Sequence, residues 1–395
     1  MDKFIIPEDY IGNSSEPHNG FASRKICSSR GWLLLVPGNS GMEFAKRVRE
    51  EYETQLQARD SMFKNVPFEY SGNKRSEKGY LTNYFTDGEL QTRLPNSVAG
   101  SDAYVIQNVH NMRFGQDVHA NLFELFALGR NLRLNGAKHV TAVLPYLPYS
   151  RGDHPTFMER ETATARLVAD FIKEAGFDSV LTCHPHQDGL RAIYEPLHFT
   201  PIHGNDLVYS ILHQYKDRED VAIVSPDLGA SKPLRYMANA LNLKLAVIDK
   251  FRDEHGQISS KGGLLTSLEG IVLAIMIDDE TSSGSTLIQG GKLICKEEAR
   301  LGTKIDKIGI VTHNKLKDKT ALEELEKLGF IKFISTTTIP QKDEIINLPL
   351  YEQYSMAQRF AFAINHLFYG VSGSALFWPK ASRPIFDDKP VQGPY

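Results

Sequence analysis

Between Ile271 and Thr286 the chain reads IVLAIMIDDETSSGST. An apolar run of strand character enters two adjacent carboxylates, Asp278 and Asp279. A loop of small residues follows (Ser282, Ser283, Gly284, Ser285 and Thr286), and then a stretch of helical pattern. Small residues let backbone N–H groups approach an anion, a helix N-terminus adds favourable partial charge, and hydroxyls add further donors. Adjacent carboxylates at the carboxyl end of a strand can accept hydrogen bonds from vicinal sugar hydroxyls, and open α/β sheets take their ligands at that end. The chemistry that fits is capture of a phosphorylated sugar. The same stretch would also serve as a plain strand–turn–helix with a Ser/Thr cap and two solvated aspartates.

The elements that must hold this loop come in alternation. Strand patterns cover 32–36, 103–107, 140–144 and 179–181, with helical spacing over 43–51, 119–135 and 162–175 between them. The alternation recurs, with strands over 221–225, 245–248, 271–277 and 308–312 and helices over 232–241, 285–302 and 320–328. Strands alternating with helices stack as βαβ units around mostly parallel sheets. Two such series predict two α/β domains, 31–200 and 201–377, joined near 196–205. Residues 1–30 are polar and read as an extension with little core of its own, and 55–80 as an inserted surface excursion. The tail 378–395 has four prolines among its last seventeen residues and reads as a loose or docked extension.

Composition narrows the class. The chain has 395 residues, 41% hydrophobic and 24% charged, with a formal net charge of -3. That balance is typical of a globular protein and gives no global basic field for nucleic acid or an anionic membrane. No apolar stretch approaches the length of a membrane span, and the first residues have no signal-peptide pattern. The three cysteines, Cys27, Cys183 and Cys295, are far apart and form no CxxC pair, which points away from a disulfide framework and towards a reducing, cytoplasmic setting.

The DDETSSGST stretch resembles the phosphoribosyl-diphosphate loop shared by type I phosphoribosyltransferases and ribose-phosphate pyrophosphokinases, where DD is followed by two apolar residues and DTxGT. Asp278 and Asp279 match; Ser282 stands where a third aspartate is usual, and Glu280 and Thr281 where apolar residues are usual. Further segments resemble the pyrophosphokinases in particular. Phe85-Thr86-Asp87-Gly88-Glu89 is similar to FxDGE, and taken alone would be an Asp-Gly turn after a strand. Pro145–Asp153 is similar to PYxxYxRQD, with Gly152 in place of the glutamine, and the Arg160–Arg166 stretch is similar to the start of the next helix. Thr182–His186 resembles the stretch ending in DLH, with His184 for the aspartate and His186 matching the histidine. Ser225–Gly229 matches SPDxG, and Ile248–Arg252 resembles the IDKxR start of a catalytic loop. Thr338–Pro340, Ser355–Ala357 and Gly370–Phe377 resemble the family's TIP, closing helix and SVSxLF ending.

The resemblance implies two tandem type I phosphoribosyltransferase-like domains and a diphosphate transfer from Mg-ATP to ribose 5-phosphate. It implies ATP binding by Phe85, Asp87, Glu89, Arg151, Asp153 and Arg160, with Mg²⁺ near His186 and Asp227. It implies catalysis by Lys250 and Arg252, and ribose-phosphate binding by Asp278, Asp279 and Ser282–Thr286. It also implies a homo-oligomer built from dimers, often a hexamer. Two histidines at i and i+2 could instead belong to a transition-metal site, but no third ligand is evident. Three other functional readings stay open: a larger acceptor such as ADP-ribose, a non-catalytic regulatory member of the family, and a simple phosphoribosyltransferase.

Overall fold

The computed structural model describes residues 4–11, 25–69, 80–113, 117–154, 160–187, 189–229, 231–249, 263–371, 386 and 388–391. It divides the chain into two compact units. The first takes the described residues through His203 together with 356–371, and the second takes the described residues of 204–355 with 386 and 388–391. Residues 356–371, expected in the second domain, belong to the first unit. Helix Ala357–Phe368 packs on helix Met42–Ala58, with Phe360 edge-on to Phe44 at 5.3 Å.

The first unit holds a six-stranded sheet in the order 27–28, 31–37, 101–106, 139–144, 179–183, 198–202. All neighbours are parallel except the first pair. The central strands are apolar on both faces, as a sheet covered on both sides requires. Helix Val118–Leu134 begins where Asp117 accepts from the Ala120 N–H at 2.7 Å, a side-chain N-cap. Helix Thr164–Glu174 buries Ala165, Val168, Ala169 and Ile172 on one face. The described start of the chain is docked: Phe4 packs against Tyr52 and Phe362, and Asn365 exchanges hydrogen bonds with the Ile5 backbone. Residues 55–58 continue the helix, and 66–69 run back against Leu35.

The second unit holds an eight-stranded sheet in the order 263–264, 244–249, 221–225, 273–281, 306–314, 330–336, 351–354, 390–391. The six inner strands are parallel and the two edge strands antiparallel to their neighbours. The chain starts at Val221–Ser225, steps to one side, then crosses back to Leu273–Thr281 on the other, so the strand order reverses between these two strands. In open parallel sheets that switch point opens a crevice at the carboxyl ends. Strand Leu273–Thr281 continues beyond the expected end at Ile277 because strand Asp306–Asn314 pairs with it through Glu280↔His313 and Thr281↔Asn314.

Candidate active site

The loop after Thr281 is held by its own hydroxyls. The Gly284 N–H donates to Thr281 Oγ1 at 3.0 Å, and Ser283 Oγ donates to Ser285 Oγ at 3.1 Å. Gly284 has φ +74°, and a Cβ there would lie 2.8 Å from Ala321 Cβ, so both conformation and space demand glycine. From this bend helix Ser285–Leu301 begins, and its first N–H groups open towards the loop where an anion is favoured. Asp278 and Asp279 are half-buried at the same end of the strand, and each carboxylate accepts the N–H of the following residue, at 3.0 and 2.7 Å.

Across the switch point, Met276 pairs with Val224, so Ser225-Pro226-Asp227 leaves the sheet beside Ile277-Asp278-Asp279. Ser225 Oγ donates to the Asp227 carbonyl at 2.7 Å and fixes that turn. Strand Lys244–Asp249 lies on the other side of Val221–Ser225 and ends at the same edge. Lys250 and Arg252, which follow it, lie outside the described residues. The carboxylates of Asp227, Asp278 and Asp279 are hard oxygen donors suited to a hydrated Mg²⁺. Among the described residues no group of three or more His, Cys, Asp or Glu is placed to hold an ion by itself.

In the first unit the remaining predicted residues come off the carboxyl edge of the sheet or stand close to it. Phe85, Asp87 and Glu89 form the exposed tip of a hairpin, 82–84 paired with 90–92. The tip is closed by the Phe85 N–H to the Glu89 carbonyl at 2.7 Å and the Glu89 N–H to Asp87 Oδ1 at 3.0 Å. After strand His139–Leu144, Tyr149 takes φ +61° and presents Arg151 to solvent. Gly152 explains its own departure from glutamine: a Cβ there would lie 2.1 Å from Thr164 Oγ1, and its carbonyl accepts the Ala165 N–H at 3.0 Å. Asp153 is largely buried, with Oδ1 2.8 Å from His154 Nδ1, and Arg160 is exposed ahead of the next helix. His184, at φ +41°, donates its N–H to the Ile202 carbonyl at 2.6 Å, and His186 beyond it is exposed.

Two features escaped the motif reading. Glu280 is buried and paired with Lys315 at 2.8 Å, so the residue that breaks the apolar pattern belongs to an ion pair that continues the strand pairing. Glu124, on helix Val118–Leu134, is fully buried beneath the hairpin, and nothing in its local sequence distinguishes it from a solvated helix position.

Two α/β units with parallel-rich sheets, one with a hydroxyl-rich loop after paired aspartates at its switch point, fit the two phosphoribosyltransferase-like domains expected from the sequence. The model of the N-terminal domain of ribose phosphate pyrophosphokinase matches residues 33–176. A ribose-phosphate pyrophosphokinase of Marinomonas sp. is 30% identical over 350 residues, spanning 87% of this chain and 98% of the relative. One from Nostoc sp. is 33% identical over 257 residues, 65% of this chain and 73% of the relative. The crystal structure of phosphoribosylpyrophosphate synthetase from Mycobacterium smegmatis superposes with a TM-score of 0.69 at 26% identity, covering 86% of this chain and 99% of that one. The chain belongs to the ribose-phosphate pyrophosphokinase family.

Proposed function

We propose that this protein transfers the β,γ-diphosphate of ATP to the anomeric hydroxyl of ribose 5-phosphate, giving phosphoribosyl diphosphate and AMP. The observation that carries the reading is the loop Ser282–Thr286 beside Asp278, Asp279 and Asp227 at the switch point of the second unit. The 5-phosphate would rest on the N-terminus of helix Ser285–Leu301 and the loop hydroxyls, with the ribose hydroxyls donating to Asp278 and Asp279. The hairpin tip Phe85–Glu89 and Arg151 offer an aromatic face, carboxylates and a guanidinium fork, the groups that an adenine nucleotide and its phosphates need.

In the reaction the anomeric oxygen bonds to the β-phosphorus while the bond from that phosphorus to the bridging oxygen breaks. AMP leaves with the bridging oxygen, and the hydroxyl proton passes to solvent. Mg²⁺, when bound, neutralises phosphate charge, with Asp227 and His186 as the protein groups assigned to it. Lys250 and Arg252, assigned by the family resemblance, would stabilise the developing charge of the transferring group. None of the three cysteines forms a disulfide, which supports a cytoplasmic setting, and among the described residues no helix is long and apolar enough to cross a membrane. Exposed Phe123, Leu167 and Phe171 on adjacent helices of the first unit support assembly into a dimer-based homo-oligomer.

The test is AMP release from Mg-ATP with ribose 5-phosphate or ADP-ribose, with products identified by mass. AMP with phosphoribosyl diphosphate is the expected result. AMP only with ADP-ribose would reassign the acceptor, and no AMP with either would overturn the reading.

A further inference from the structure

The proposed reaction uses the hairpin tip, yet a hairpin with three cross-strand residue pairs is marginal without support. Its second strand is held by Asn131 Nδ2, which donates to Thr92 Oγ1 at 3.1 Å, and the support of its first strand converges on Glu124. Glu124 Oε1 accepts the Asn39 backbone N–H at 2.8 Å, and Oε2 accepts from Gln107 Nε2 at 3.0 Å. Asn39 and Gln107 follow the carboxyl ends of the adjacent strands 31–37 and 101–106. The Asn39 side chain in turn donates to the Thr82 carbonyl at 2.9 Å, and Thr82 opens the hairpin.

There is no slack around this group. A Cβ on Gly38 would lie 2.2 Å from Gln107 Oε1, and one on Gly41 would lie 2.2 Å from the Ile106 carbonyl, so the 38–41 turn is laid directly on Gln107. Gln107 Nε2 is also shared with the Asn121 carbonyl at 3.1 Å. Tyr84 enters the same pocket: burial, and then the charge of Glu124, push its hydroxyl above the ordinary phenol range. Burial raises Glu124 as well, against the opposing pull of its hydrogen bonds from Asn39 and Gln107. A carboxylate is costly to bury and is retained where it is hydrogen-bonded.

We infer that Glu124 is a positioning residue for the nucleotide hairpin, its carboxylate tying two strand ends to the hairpin's base so that Phe85, Asp87 and Glu89 are set in place. It reaches the substrate only through these groups, and the inference rests on the reading of the hairpin as nucleotide-binding.

The experiment uses full-length E124A and E124Q, with steady-state kinetics in ATP and ribose 5-phosphate and amide hydrogen exchange of residues 80–92. E124A should raise KM for ATP about tenfold, with kcat and the acceptor KM changed less than about threefold. Its hairpin amides should exchange about tenfold faster, while those of strand Leu273–Thr281 keep their protection. E124Q, whose amide oxygen can still accept the Asn39 N–H, should recover most of the ATP affinity. Equal loss towards both substrates, or unchanged hairpin exchange, overturns the inference. Should E124A not fold, the double variant E124Q/Q107A carries the same readouts. F85A separates the two readings. If F85A leaves KM for ATP unchanged while E124A still loosens the hairpin, the nucleotide assignment has failed and the positioning has not.

Discussion

Lys315 Nζ lies 2.8 Å from Glu280 Oε2, with only 10% and 2% of the two side chains exposed. The Lys315 N–H also donates to the Thr281 carbonyl at 2.7 Å. Together these contacts carry strand pairing to the threshold of the Ser282–Thr286 loop. Removing one partner of a buried pair leaves a charge with the penalty of burial, about 3 kcal/mol or more, whereas replacing both by apolar groups of similar volume is close to neutral. K315M should therefore lower the urea midpoint clearly, and E280M/K315M should restore most of it. A double variant no better than the single one would mean that the pair does not act as a unit.

Gly284 has two independent reasons to be glycine, its positive φ and its contact with Ala321. The conformational cost of alanine there is about 1–2 kcal/mol before any clash. G284A should raise KM for ribose 5-phosphate more than tenfold, an estimate of about 1.4 kcal/mol or more of lost binding, and leave KM for ATP nearly unchanged. Steady-state kinetics with each substrate varied in turn reads the difference.

Lys250 and Arg252 are assigned from the family pattern. Alanine at either should lower kcat by orders of magnitude with small changes in both KM values, the signature of an interaction made in the transition state. Near-normal kcat in both variants would remove them from the mechanism.

Glu297 gives a pH test outside the chemistry. It accepts from Arg300 at 2.7 and 2.8 Å and from the Leu268 N–H at 3.3 Å, clasping the turn before strand Leu273–Thr281 to helix Ser285–Leu301. The Arg300 hydrogen bonds lead in lowering its pKa from 4.5 to about 2. A carboxylate lowered in the fold stabilises above its unfolded value and loses that contribution as pH falls towards its folded one. E297Q should melt below the parent at pH 7, and the gap should close between about pH 4.5 and pH 2. A gap that persists at low pH would mean that the carboxylate charge is not what matters.

Apolar runs such as Trp32–Val36 and Val221–Ser225 were legible because strands buried on both faces leave no polar alternation to misread. The turn from strand Leu273–Thr281 into helix Ser285–Leu301 was legible because an apolar run that ends in small residues and glycine leads into a tight bend. Glu280 was not, since its partner stands thirty-five residues on and only sheet register joins them. Glu124 was not, since helical spacing records a glutamate between Phe123 and Leu125 without saying that its neighbours are Asn39 and Gln107. Helix Ala357–Phe368 shows clear helical character, yet its sequence does not say which core receives it.

That helix has a consequence for how the protein is made. A ribosome releases the whole of 204–355 before the helix that completes the first unit. The unit begun first is therefore finished second. A nascent chain stalled near residue 355 would expose the faces of Phe44 and Tyr52 that Phe360 and Asn365 normally cover, and so present a chaperone with a half-closed core.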